Sequence, residues 1–151
     1  MTAATATATT TAVHLEPGRA AELPGSVHGT PKLLLRLEGL AMFAAALAGF
    51  HALGGGWGLF AALFLVPDLS LLGYLAGTKV GAVVYNAGHS LMGPLLLAAL
   101  GLLWGAPMTW LLTLIWVAHI GFDRMAGYGL KYSTGFGATH LGRVGRGARA
   151  A

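Results

Sequence analysis

The chain has 151 residues, of which 56% are hydrophobic and only 9% charged, and it carries a formal net charge of +4. Soluble domains carry about 25% charged residues, so the composition excludes an ordinary soluble domain and reads as a single small membrane domain. Cysteine is absent, which excludes disulfides and thiolate metal sites and leaves His, Asp, Glu and Asn as ligand types.

Met1 to Pro31 opens on an Ala/Thr repeat and continues with Gly, Pro and polar residues. It has no apolar run long enough for the core of a signal peptide, and reads as a disordered tail (1–31). Four apolar runs follow, at about 33–53, 57–77, 80–104 and 108–126, each close to the ~20 residues that span a bilayer. Gly54, Gly55 and Gly56 turn the chain after the first run. Pro67 predicts a kink before Asp68 in the second, Pro94 a bend in the third, and Gly105 to Pro107 a turn into the fourth. The expected fold is all-α: a four-helix transmembrane bundle over 32–127, followed by a glycine-rich basic tail (128–151) lying along the membrane surface.

All nine Lys and Arg residues fall before or in the first turn of span one, between spans two and three, or at and after the end of span four. Loops rich in Lys and Arg stay cytoplasmic, which predicts a cell inner-membrane protein with both termini inside and Trp57, Trp104 and Trp110 at the opposite interface. The basic tail is expected to touch anionic headgroups. A nucleic-acid partner is not expected, because no aromatic or folded reader accompanies the charges. Gly73, Gly77 and Gly81 have the small-xxx-small spacing of close helix contacts, a candidate homo-oligomer interface.

Polar and ionisable side chains are costly among lipid tails and normally face a bundle interior with a partner or a task. Glu38, Asp68, Asn86, His89, His119 and Asp123 lie in the spans, at about 5–13 Å from their cytoplasmic ends at ~1.5 Å per residue. Asn86 and His89 share a helix face, as do His119 and Asp123. Four helices thus contribute polar groups at similar depth, which predicts one shared pocket. In one reading, Asp68, His89, His119 and Asp123 bind a divalent zinc, manganese or iron ion, and Glu38 and Asp123 are the candidate catalytic carboxylates. The bound ion would activate water for attack on an ester or phosphate at the inner leaflet. In the other, the acids pair with Arg36 or Arg124 and the histidines hydrogen-bond between helices, giving a scaffold or a small proton-coupled permease. Asn86 completes the pocket in both, and a tail folded back would bring His140 to its mouth.

The runs LLRLEGL (34–40), FLVPDLSLLGYLAG (64–77), YNAGHS (85–90), AHIGFDRMAGYGLKY (118–132) and THLG (139–142) resemble the bacterial membrane family catalogued as domain of unknown function 4260. That resemblance implies an integral membrane protein and no established activity. A weaker similarity links Pro67-Asp68, His89-Ser90 and His119-x3-Asp123 to membrane-bound metal-dependent hydrolases related to the LexA-regulated inner-membrane protein, and implies metal binding and hydrolysis. Two parts of that pattern are missing: the second acid of Pro-Asp-x-Asp, which is Ser70 here, and the arginine before the His-Ser pair.

Overall fold

Apolar runs of this length bury their backbone polar groups only by coiling, and helices dominate the computed structural model, which describes residues 23–145. The parts of the two predicted tails at 1–22 and 146–151 lie outside the described residues. The elements are α1 (Gly29–Ala52), α2 (Trp57–Leu63), a 3₁₀ helix (Val66–Ala76), α3 (Thr78–His89), α4 (Met92–Trp104) and α5 (Pro107–Ala126). A two-stranded antiparallel hairpin of β1 (Ala138–Thr139) and β2 (Gly142–Arg143) closes the described chain.

Two helical stretches, Gly29–Ala52 and Trp57–Ala76, are long and apolar enough to cross a membrane. Thr78–His89 and Met92–Trp104 make a third if the two halves, bent by 43°, form one span. α5 is not among them, since Asp123 and Arg124 dilute its apolar run. Large side chains such as Leu72, Leu75, Val83, Leu102 and Leu103 point outward, each more than 60% exposed. An aqueous surface would not tolerate so continuous an apolar exterior, and these helices are those of a membrane protein.

Glycine sets how closely the helices approach. A Cβ on Gly121 would lie 2.7 Å from the Phe43 amide nitrogen and 2.9 Å from the Gly39 carbonyl, and one on Gly39 would lie 2.7 Å from the Met125 nitrogen. α1 and α5 therefore touch backbone to backbone beside His119 and Asp123. Gly73 and Gly81 act within the chain too, against Val84 and the Tyr74 ring, and so bring the 3₁₀ helix onto α3.

The second predicted span is not one α-helix. From Val66 it tightens into eleven 3₁₀ residues, unusual for a geometry normally confined to short pieces. Its repeat of three sorts side chains into three strips. Pro67, Ser70 and Gly73 meet α3, Asp68, Leu71 and Tyr74 look inward, and Leu69, Leu72 and Leu75 are 63%, 61% and 87% exposed. The third predicted span breaks at Ser90, extended at ψ 153, rather than at Pro94. The Gly88 carbonyl at that break accepts a hydrogen bond of 2.7 Å from the Trp116 indole.

α5 ends in a Schellman turn, with Gly127 at φ 98 and Tyr128 N–H donating to the Asp123 carbonyl at 2.8 Å. The turn sends residues 128–145 back over the end of the helices. Where the sequence reading expects a surface-lying tail, these residues fold into a cap. It is tied together by Tyr132 N–H to the Ala138 carbonyl and Val144 N–H to the Gly137 carbonyl. The segment before α1 joins it through Val27 N–H to the His140 carbonyl and the Tyr132 hydroxyl to the Gly25 carbonyl, at 2.8 and 2.7 Å.

Candidate metal centre

Three elements bring four side chains to one point. The 3₁₀ helix supplies Asp68 from its inward strip, α3 supplies His89 from its last turn, and α5 supplies His119 and Asp123 one turn apart. One ligand-type atom from each lies within 4.8 Å of all the others. His89 Nε2 is 3.1 Å from His119 Nε2, 3.3 Å from Asp68 Oδ1 and 3.5 Å from Asp123 Oδ2. His119 Nε2 lies 3.7 Å from Asp68 Oδ1 and 3.9 Å from Asp123 Oδ2. Zinc bonds of 2.0–2.2 Å arranged tetrahedrally give ligand-to-ligand edges of about 3.3–3.6 Å. The five edges that involve a histidine, 3.1–3.9 Å, bracket that range, and the sixth, between the two carboxylates, is within 4.8 Å.

The surroundings orient the donors. His89 Nδ1 lies 2.9 Å from the Tyr85 carbonyl, which can only accept, so this nitrogen carries the proton and the Nε2 lone pair faces the centre. The Tyr85 ring stacks on the His89 ring at 3.7 Å, and its hydroxyl donates to Asp123 Oδ2 at 3.2 Å. His119 is buried with its edge against Phe64, and its Nδ1 has no hydrogen-bond partner among the described residues. Only Nε2, on the side of the cluster, engages a polar group. Burial is uneven: the side chains of His89, His119 and Asp123 are 4%, 2% and 16% exposed, whereas Asp68 is 38% exposed.

Asp68 and Asp123 open into a cavity of about 820 Å³ between the 3₁₀ helix, Tyr85 and the cap, whose Lys131, Phe136 and Arg143 form the far wall. Asn86 pins the cap like a strand partner. Its Nδ2 donates to the Lys131 carbonyl at 2.9 Å and its Oδ1 accepts from Lys131 N–H at 2.7 Å. His140 pins it a second time, accepting from Leu130 N–H through Nδ1 at 2.8 Å while its own N–H donates to the Leu130 carbonyl at 3.0 Å. Burial holds the His140 imidazole below its ordinary value, and the Arg124 charge acts the same way. Lys131 is buried, with Nζ donating to the Phe136 carbonyl at 3.0 Å and standing over the Phe136, Tyr85 and Tyr74 rings at 3.5, 4.6 and 5.3 Å. Burial pulls its ammonium below the usual lysine range, and Asp123 and Asp68 oppose the shift.

The structure thus brings Asp68, His89, His119 and Asp123 together and gives other predicted residues different places. Glu38 lies on the exposed side of α1 outside the cluster. Arg36 donates to the Met125 carbonyl at 2.8 Å, tying α1 to the end of α5. Neither Arg36 nor Arg124 forms an ion pair among the described residues, so the acids of the cluster face histidines rather than arginines. Asn86 and His140 hold the cap and do not reach the centre. Sequence reasoning missed Tyr85, Lys131 and Phe136. Tyr85 was findable, four residues before His89 on the same helix face, whereas Lys131 depends on the fold-back after Gly127.

No curated protein and no solved structure matches the chain. The model of the family described as Domain of unknown function (DUF4260) matches residues 32–144, well over half of the sequence, and the chain belongs to that family.

Proposed function

We propose that the protein is a four-span inner-membrane metal-dependent hydrolase whose centre opens toward the cytoplasmic leaflet. Four crossings are supported by helix direction: Gly39 meets Met125, Gly49 meets Leu114, and Gly93 and Gly101 meet Trp116 and Thr109. α1 and α4 therefore each run antiparallel to α5, as alternate crossings require. Lys and Arg positions favour both termini inside.

The observation that carries the metal reading is the set of two imidazole nitrogens and two carboxylate oxygens, all within 4.8 Å of one another and with every edge that involves a histidine at 3.1–3.9 Å. A divalent zinc, manganese or iron ion suits this donor set, and when bound it supplies a Lewis acid and lowers the pKa of coordinated water to about 7. His89, His119 and Asp123 form the buried side that binds and orients. Asp68, at the cavity, is placed to take a proton from an attacking water. The cap lines one side of the cavity, and Tyr85 keeps Asp123 aimed. The weaker resemblance to membrane-bound hydrolases is in keeping with these roles. Metal analysis of detergent-purified protein tests the reading: one zinc, manganese or iron ion per chain, lost in His119→Ala, is expected. A metal-free wild type whose cluster variants only lose stability overturns it.

A further inference from the structure

The cavity above the cluster is lined by two cations, Lys131 and Arg143, that form no ion pair among the described residues. Lys131 is 6% exposed, a degree of burial that lysine almost never has without an anionic partner. Among the described residues neither Lys131 nor Arg143 forms an ion pair, and both line the cavity with Asp68 and Asp123. Lys131 Nζ spends one donor on the Phe136 carbonyl, and the rest of its surroundings are aromatic faces. Asn86 and the Lys131–Thr139 bridge fix the backbone from which it projects, so the ammonium is held in place by the fold.

The charge balance then depends on the centre. A divalent cation cancels the two carboxylates of Asp68 and Asp123, and the two imidazoles are neutral as ligands. Among the described residues that line the cavity, Lys131 and Arg143 then leave an excess of two positive charges. A phosphate monoester carries about 1.5 to 2 negative charges near neutral pH, along with oxygens that accept charge-assisted hydrogen bonds.

We infer that the cavity takes a phosphate monoester, held by Lys131 and Arg143 against the cluster, an inference that rests on the metal reading above. The group is either a lipid headgroup or the phosphate of a soluble ester. Its hydrolysis breaks the phosphorus–oxygen ester bond. The water oxygen joins phosphorus, one water proton passes by way of Asp68 to the departing alkoxide, and the other stays on the phosphate product.

The test uses full-length protein in nanodiscs supplied with zinc, with zinc content and inorganic-phosphate affinity measured on the same samples. Phosphate binding to the zinc-loaded wild type is expected, weakened about tenfold in Arg143→Gln and in Lys131→Met with zinc content unchanged. Arg143 is exposed, so its variant stays informative if Lys131→Met does not fold. Zinc uptake without phosphate binding, or phosphate affinity unchanged in Arg143→Gln, overturns this inference alone. Failure to take up zinc, and manganese or iron in its place, overturns the metal reading, and this one with it. Two substrates separate the sources: release of phosphate from dioleoyl phosphatidate in nanodiscs but not from glycerol 3-phosphate identifies the lipid, and the reverse identifies the soluble ester. Release from neither, by zinc-loaded protein, contradicts the hydrolytic step.

Discussion

Asp123 and Asp68 reach the same point from unlike supports. Asp123 projects from α5, a 20-residue α-helix whose Gly121 backbone touches that of α1, and its carboxylate also accepts from Tyr85. Asp68 projects from a 3₁₀ helix with no buried residue, and is more than twice as exposed as Asp123. One side of the centre is therefore buried between α1 and α5, and the other borders the cavity on a 3₁₀ helix packed on α3 alone along one strip. This division suits a site that binds an ion firmly and still exchanges groups on one face, since catalytic metal sites keep a position open.

The sharpest way to break the comparison is at the helix contact. Gly121→Ala puts a Cβ 2.7 Å from a backbone nitrogen that cannot move away, and should cost about 3 kcal/mol as α1 and α5 separate. Gly58→Ala in α2 meets nothing within 4 Å and should be neutral or slightly stabilising. Thermal or denaturant unfolding in detergent checks both, and equal losses would mean that α5 is not the fixed side.

Next in size is the contrast between the two acids. Asp123→Asn removes a buried carboxylate of the proposed centre and should weaken zinc binding about 100-fold or more. Asp68→Asn, where water can replace the lost oxygen, should weaken it only about tenfold while abolishing turnover. Competition with a chelating dye measures both, and the reverse ranking would exchange the roles of the two sides.

The smallest effect concerns the cap. The folded-state value of His140 lies below the ordinary 6.5, so as pH falls through 6.5 the folded cap binds fewer protons than the opened one. Its stability is fully present above 6.5 and is lost on acidification. The Leu130 amide, which donates to His140 Nδ1, should exchange hydrogen faster at about pH 5.5 than at about pH 7.5 after correction for intrinsic rates. His140→Gln should flatten that dependence.

Much of this was legible from residue types. Apolar runs marked where the helices form, although the second and third runs each divide into two elements. The depth of Asp68, His89, His119 and Asp123 pointed to one centre, because lipid penalises scattered charge. Glu38 met the same depth criterion and failed on angle: it lies one residue before Gly39, whose backbone contact with α5 leaves Glu38 on the outer face of α1. The 3₁₀ geometry was not readable, since Pro67 predicts a kink but not the twist of the ten residues around it. The cap was hidden for a different reason. Glycine-rich, basic 128–145 has no periodicity of its own, and takes its shape from a Schellman turn and from Asn86, 45 positions before its Lys131 partner.

Zinc-edge X-ray absorption on the reconstituted full-length protein tests the central claim most directly. A shell of two imidazole nitrogens and one or two carboxylate oxygens at 2.0–2.2 Å is expected, with one imidazole lost in His89→Ala. Zinc held by water oxygens alone, or a spectrum unchanged in His89→Ala, would contradict it.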